Sequence, residues 1–155
     1  MTVDARLSEF YEEVGVLLSD LGVPRMGAKA FAALLTAPEE GLTARELAEN
    51  ISASPAAISG ALRLLTQVRM VSRARRPGEW ADRYSVQDHF WEAAITAEMQ
   101  AYGPLIASLE RALDDLPLST AALDRMTESR DFLAFIAGEF PSLLQRWREQ
   151  RAATT

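Results

Sequence analysis

The stretch from residue 43 to residue 86 constrains the fold of this chain most strongly, because its hydrophobic period changes there from helical to extended. Up to Val68, apolar residues recur at three- and four-residue intervals, which is the period of an amphipathic helix. From Met70 to Val86 the period changes: Val71, Arg73 and Arg75 alternate with smaller residues, and Tyr84 with Val86 gives a returning strand. The stretch therefore predicts helix, turn, second helix and then a short β-hairpin.

A capping box marks the start of the first of these helices. The Thr43 hydroxyl can accept from the amide of residue 46, while the Glu46 carboxylate reaches back to the amide of residue 43. We predict a short helix over 44–50. After a turn, Pro55 opens a second helix at a position where its missing amide hydrogen costs nothing. The predicted buried face of that helix carries Ile58, Leu62, Leu65 and Val68.

The opposite face of the second helix is made of small and polar residues. Such a face lets a helix backbone lie close to base edges in a DNA major groove. There Ser can hydrogen-bond to either strand, Ala can contact a thymine methyl and Arg can form two hydrogen bonds with a guanine. The candidate DNA-binding residues at the start and on this face of the helix are Ser54, Pro55, Ala56, Ala57, Ser59, Gly60 and Arg63.

The hairpin that follows is rich in arginine. Pro77-Gly78 suits a type II turn between its two strands, and Trp80 at its tip is unusual. Such a hairpin would be a wing with its arginines near phosphates or a minor groove. The candidate DNA-binding residues here are Arg73, Arg75, Arg76 and Arg83.

Charge is distributed unevenly along the chain. The net charge is −6, which on its face argues against a nucleic-acid partner. Residues 52–87, however, carry six arginines and two acidic residues, whereas the rest carries ten basic and twenty acidic side chains. The sequence therefore has one small basic region, residues 52–87, within an otherwise acidic chain. Such a region is expected where a protein binds phosphates locally.

Amphipathic helices flank the central stretch on both sides. A first helix from about residue 3 to 21 precedes Gly22, and Pro24 is placed to open a second helix that ends before Pro38. The residues of this second helix that we expect to face a core are Ala30, Phe31, Leu34 and Leu35. A long helix from about residue 88 to 116 is expected to kink at Gly103-Pro104, and Ser119 can cap a last helix, kinked near Pro141. The apolar stripes of the last two helices have little chain left to cover them, which favours a partner subunit.

The stretch 21–84 resembles the DNA-binding domain of MarR-type transcriptional regulators, and among them the GbsR-like branch. The recognition helix and the wing are the most specific of the matching segments when taken together. Where MarR proteins usually show Asp-Arg-Arg in the wing, this chain has Asp82-Arg83-Tyr84. The segments that carry the resemblance are GVPRMG (22–27), LTARELA (42–48), SPAAISGALRLL (54–65) and RPGEWADRY (76–84).

The resemblance implies a homodimer that joins through its outer helices and that often releases DNA when a small molecule binds. An apolar pocket between the flanking helices and the DNA-binding domain could hold such an effector, although apolar stripes at helical spacing more often form part of a hydrophobic core. Arg25 and Arg45, near helix starts, could contact phosphate or be solvated. The candidate effector-pocket residues are Phe10, Tyr11, Met26, Trp91, Met99 and Tyr102.

Composition argues against catalysis. The chain has no Cys, and its single His89, which we expect to pack or cap a helix, leaves little material for a zinc site or a histidine base. No nucleophile–base pair, phosphate-cradling glycine loop or ligand cluster is recognisable, and the pair Asp114-Asp115 is expected to be solvated. We predict no enzyme activity, no metal and no cofactor.

No stretch approaches the ~20 apolar residues of a membrane span, and no basic-then-apolar leader precedes the first helix. We therefore expect a cytoplasmic protein without a membrane partner.

The sequence as a whole predicts a mainly α fold with a small β-hairpin wing, a winged helix-turn-helix with flanking dimerisation helices. We divide it into an N-terminal dimerisation helix (1–22), a DNA-binding domain (23–87) and a C-terminal helical dimerisation region (88–155). The expected partners are double-stranded DNA, a second copy and a candidate small-molecule effector, and the expected role is a repressor. The alternative is a winged-helix module that binds another protein; charge reversal of Arg75 and Arg76 would weaken DNA binding but not necessarily that partner.

Overall fold

The computed structural model describes residues 4–154. The chain forms two compact units, one ending at Phe90 and the other beginning at Trp91. The elements in chain order are α1 (Ala5–Asp20), α2 (Arg25–Leu35), β1 (Leu42–Thr43), α3 (Ala44–Asn50), α4 (Pro55–Gln67), β2 (Val71–Arg75), β3 (Asp82–Val86), α5 (Phe90–Asp115) and α6 (Thr120–Thr154).

Local capping explains where the central helices begin. The predicted capping box is present: the Thr43 hydroxyl accepts from the Glu46 N–H at 3.2 Å, and the Glu46 carboxylate accepts from the Thr43 N–H at 2.7 Å. The Ser54 hydroxyl accepts from the Ala57 N–H at 3.2 Å, with Pro55 at the first helical position. The predicted boundaries of α3 and the start of α4 are therefore confirmed.

The first unit has one hydrophobic core beneath α4. Its largest fully buried side chains come from four different elements, and the ring of Phe31 meets Phe90 edge to face at 5.2 Å. Burial on this scale holds α4 against α2 and α3 with one face inward and the other outward. The fully buried residues are Phe31, Leu47, Ile58, Leu65 and Val71.

The sheet has three strands rather than the two of the predicted hairpin. It is antiparallel with the order β1-β3-β2, and Leu42 and Thr43 pair with Tyr84 and Arg83. A strand of two residues has no readable period, which is why the pattern along the sequence did not indicate β1. The added strand joins the wing to the start of α3.

Two residues predicted on buried faces are exposed. Leu35 keeps 43% and Val68 keeps 51% of its surface accessible, so these two assignments are wrong. Leu35 is the last residue of α2 and Val68 follows the last residue of α4, beyond the part of each helix that neighbouring elements cover.

The second unit consists of two long helices. Both α5 and α6 continue through their internal prolines, Pro104 and Pro141. The Ser119 hydroxyl accepts from the Ala122 N–H at 3.3 Å, as predicted for the start of α6. Arg148 of α6 donates to the Glu92 carboxylate of α5 from Nε at 2.8 Å. No residue of α6 is buried, although its sequence is rich in apolar and aromatic residues.

Candidate nucleic-acid interface

One side of α4 is open to solvent while the other forms the core. Ser54, Pro55, Ala56, Ser59 and Arg63 are exposed, and Ala57 and Gly60 are partly exposed. A Cβ built on Gly60 would meet nothing within 4 Å, so this position faces open space. The structure therefore places all seven predicted residues of α4 and its cap on or beside one accessible face.

The accessible face of α4 and the stem of the wing line the same groove. The groove has a volume of about 590 Å³ and brings Ser59 and Arg63 together with Arg73 of β2. Sequence reasoning missed three polar lining residues, Thr66, Gln67 and Tyr84. Gln67 had a readable signal, since Ser59, Arg63 and Gln67 follow the four-residue spacing of one helix face.

Strand register decides which wing arginines face this groove. Arg73 is paired with Tyr84 and Arg75 with Asp82, so these four side chains share one face of the hairpin. Val71 begins the same row and is buried, which turns this face of the sheet toward α4. Arg73 and Arg75 therefore extend the row from the core toward the tip.

One carboxylate orients both of these arginines. Arg73 Nε donates to Asp82 Oδ2 at 2.7 Å, and Arg75 Nε donates to Asp82 Oδ1 at 2.9 Å. These hydrogen bonds, that of Arg73 above all, hold the pKa of the Asp82 carboxyl below its usual range. The pair is thus held in place while more than half of each side chain stays accessible.

Arg83 is directed away from that face. Its Nε donates to Glu79 at 2.8 Å, and its Nη1 donates to the Gly41 carbonyl at 3.1 Å and to Glu46 at 3.3 Å. Its side chain keeps only 19% of its surface exposed. The hydrogen bond with Glu79 is the main cause that raises the pKa of Arg83 above its ordinary value.

The turn of the wing follows the predicted type. Gly78 has a φ of +84°, and the Arg76 carbonyl accepts from the Glu79 N–H at 3.1 Å, as in a type II turn with Pro77 at its second position. Arg76 is exposed and, like Arg63, has no ion pair among residues 4–154.

Arg25 and Arg45 lie outside the groove. Arg45 Nε donates to Glu49 one turn later at 2.9 Å, and Arg45 lines a cleft that also reaches Pro55 at the start of α4. Arg25 lies 3.5 Å from the Glu12 carboxylate of α1, which also binds the side chain of Lys29. Arg45 is therefore close to the accessible helix start, whereas Arg25 takes part in the α1–α2 pairing.

The six candidate effector residues are divided between the two units. Phe10, Tyr11 and Met26 lie in the first, and Trp91, Met99 and Tyr102 lie on α5 in the second. Tyr11 is buried and its hydroxyl is 2.9 Å from the Thr36 hydroxyl. Tyr11 also lines a cleft of about 470 Å³ between α1, α2 and α3. The six-residue pocket stays a prediction.

Residues 4–154 contain no group of three or more His, Asp or Glu side chains that could together hold a metal ion. None of the helices in this range combines the length and apolar character needed to cross a membrane.

These elements define a winged helix-turn-helix protein with long flanking helices, which confirms the predicted fold class. Residues 89–150 match the family described as MmpR5-like MarR family transcriptional regulator. That match covers the C-terminal helices and less than half of the chain. No curated protein matches this sequence.

One solved structure extends the similarity to the whole fold. A crystal structure described as a transcriptional regulator is 24% identical, covers 93% of this chain and 99% of its own, and has a TM-score of 0.71. MepR, a transcription regulator of the Staphylococcus aureus multidrug efflux pump MepA, is 16% identical over 87% of this chain and 90% of its own, with a TM-score of 0.44. Residues 89–150 are thus similar to a MarR-type family, and the chain shares its fold with the first of these two structures.

Proposed function

We propose that this protein is a homodimeric, sequence-specific DNA-binding transcriptional regulator that acts as a repressor. The observation that carries the proposal is the shared groove, where the accessible face of α4 meets an arginine row on the wing. Six arginines lie in residues 52–87 of an otherwise acidic chain. A helix with small outer residues beside such a row suits a duplex, because the helix can enter a major groove while arginines hold phosphates.

The residues divide into two kinds of contact. Arg63 points outward from α4 without an acidic partner among the described residues, so we assign it to base reading together with Ser59. Arg73, Arg75 and Arg76 are assigned to the DNA backbone or a minor groove. Arg45, close to the start of α4, is assigned to a phosphate.

Two predicted contacts receive different roles in this proposal. Arg83 is engaged by Glu79, Glu46 and the Gly41 carbonyl, so we assign it to bracing the wing rather than to phosphate. Arg25 is paired with Glu12, which favours a role in holding α2 against α1.

The exposed apolar surface of the second unit supports a dimer. Phe132 and Phe135 of α6 each keep 63% of their surface exposed, and Leu143 and Trp147 follow on the same helix with about half exposed. Burying such side chains against a second copy removes apolar surface from water. A twofold dimer would present two copies of α4 to successive major grooves roughly 34 Å apart.

The finer parts of the proposal rest on the resemblance. Membership of the GbsR-like branch and release of DNA by a small apolar or aromatic ligand follow from it. We also propose a cytoplasmic location, which suits a regulator that has to reach DNA. Repression is proposed because a dimer that occludes a promoter needs no further surface.

The test is DNA binding by the full-length protein as a function of salt. We would select duplexes from a random library, include the DNA upstream of its own gene, and compare each with unselected DNA. Specific binding with a steep salt dependence and two half-sites about one helical turn apart is expected. Absence of binding even at low salt would contradict the proposal and favour a protein partner for the winged helix.

A further inference from the structure

Trp80 at the tip of the wing has the most accessible side chain among the large hydrophobic residues of the described chain. It keeps 96% of its surface exposed, so it contributes almost nothing to the core. A fully hydrated indole has apolar surface that only an outside partner can remove from water.

The loop that carries Trp80 is anchored on both sides. The residue before it, Glu79, accepts from Arg83, and Asp82 two residues after it accepts from Arg73 and Arg75. The type II turn closes the other side of the tip through the Arg76–Glu79 hydrogen bond. The indole is therefore presented outward on a short, braced hairpin, which lowers the entropic cost of inserting it into a partner.

The charges around Trp80 suit a polyanion. Arg76 is exposed and has no ion pair among residues 4–154, whereas both nearby carboxylates, Glu79 and Asp82, are already engaged by arginines. An exposed apolar ring beside free positive charge matches a DNA minor groove, whose walls are sugars and whose edges are phosphates. A purely apolar protein surface would not use the neighbouring arginine.

We propose that Trp80 is a minor-groove wedge that presses its indole against a base step beside each site read by α4. This inference rests on the proposed DNA-binding function. Pyrimidine–purine steps open more readily than stiff A-tracts, so the wedge would select deformable steps at positions that no hydrogen bond reads. Because the indole is neutral, its contribution should not depend on salt, unlike that of an arginine.

The experiment compares the wild-type protein with Trp80→Ala, Trp80→Phe and Trp80→Gln on selected and unselected duplexes at several salt concentrations. All three variants should keep the wild-type circular dichroism and Tm, because the side chain is exposed. On selected duplexes, Trp80→Ala and Trp80→Gln should lose about tenfold in affinity, equivalent to about 1.4 kcal/mol. Trp80→Phe should retain most of the affinity, and all three should keep the wild-type salt slope.

Two contrasts separate the wedge from a charge effect. Arg76→Ala should reduce the salt slope by about one, while Trp80→Ala should not. A 2-aminopurine placed at the selected base step should brighten when the wild-type protein binds and stay dim with Trp80→Ala. Selection repeated with Trp80→Ala should lose the preference for that step.

If Trp80→Ala binds DNA with wild-type affinity and base-step preference, the proposed role of Trp80 is wrong, whereas the proposed DNA-binding function is not contradicted. A changed salt slope, or a loss of self-association in light scattering, would also overturn it. If the wild-type protein itself shows no specific DNA binding, the proposed function fails and the wedge fails with it.

Discussion

Arg83 of the wing donates to the same Glu46 carboxylate that caps α3. The Arg83 Nη1–Glu46 Oε2 distance is 3.3 Å, and Glu46 Oε2 also accepts from the Thr43 N–H at 2.7 Å. The Glu46 side chain therefore joins the start of α3, strand β1 and the wing. The arrangement explains why the wing of this chain needs an arginine that does not face the groove.

We expect Arg83→Ala to loosen the wing without removing a DNA contact. The variant should show a lower Tm and faster amide exchange in β3, because Glu79, Glu46 and the Gly41 carbonyl lose their shared donor. DNA affinity should fall while the salt slope stays near that of the wild-type protein. A slope reduced by about one, with unchanged exchange, would instead show that Arg83 contacts phosphate.

Arg63 and Arg75 should differ in what they contribute to binding. We expect Arg63→Ala to cost about 1–3 kcal/mol on the selected sequence and to relax base preference at one position of each half-site. Arg75→Ala should weaken binding to all sequences similarly and reduce the salt slope by about one. Binding curves on matched and single-base-changed duplexes measure both effects. Equal losses for both variants on every sequence would contradict this division.

Alanine substitutions at Gly41 and Gly60 should have opposite effects on the stability of the fold. Gly41 has a φ of +74°, and a Cβ there would lie 2.3 Å from the Tyr84 carbonyl oxygen, so Gly41→Ala should destabilise the protein by more than about 1 kcal/mol. Gly60 is helical with open space around it, so Gly60→Ala should stabilise by about 0.5–1 kcal/mol.

The same Gly60→Ala variant should bind DNA less tightly, because the added methyl lies on the face proposed to approach base edges. Urea unfolding and DNA binding of both variants check the pair. A Gly60→Ala protein that is more stable and binds DNA as well as the wild-type protein would argue against close approach at this position.

Acid should weaken the link through Glu46. The Thr43 N–H is the main cause that lowers the pKa of Glu46 below its ordinary value of 4.5, and Arg83 lowers it further. The unfolded chain then takes up this proton at a higher pH than the folded one, so the ionised carboxylate contributes stability at neutral pH that is lost as the pH falls through the folded-state pKa.

We therefore expect Glu46→Gln to be less stable than the wild-type protein at neutral pH and to approach it in acid, as the pH falls below the ordinary pKa of 4.5 and through the lower folded-state pKa. Urea unfolding at neutral and acid pH measures the difference, with the exposed Glu13→Gln as control. A difference between Glu46→Gln and wild type that does not shrink in acid would show that the carboxylate charge is not the cause.

The proposed dimer should depend on the apolar face of α6. We expect Phe135→Glu to shift the protein toward a monomer, because a charge would have to be buried at the interface. Light scattering at micromolar concentration measures the mass, and Ala134→Glu at an exposed position of the same helix controls for added charge. A wild-type protein that is already monomeric there would refute the dimer.

Local patterns were sufficient to predict the helices and the hairpin. The Thr43–Glu46 capping box, Pro55 at the start of α4 and the turn at Pro77-Gly78 are each specified by neighbours a few residues apart, and each is present as predicted. The outward face of α4 could be predicted for the same reason, since helical period alone separates Ile58 from Ser59 and Arg63.

The sequence by itself therefore determined the order of the helices and of the two wing strands, the winged helix-turn-helix class and the basic stretch, because these depend on short-range period, capping and charge. Only the tertiary structure decided how the arginines are used. Arg73 pairs with Tyr84 across the strands, and its side chain faces the groove. Arg83 pairs with Thr43, and its side chain faces Glu46. Strand register joins residues far apart in the chain, so no local pattern distinguishes the arginine that faces outward from the one that braces the wing.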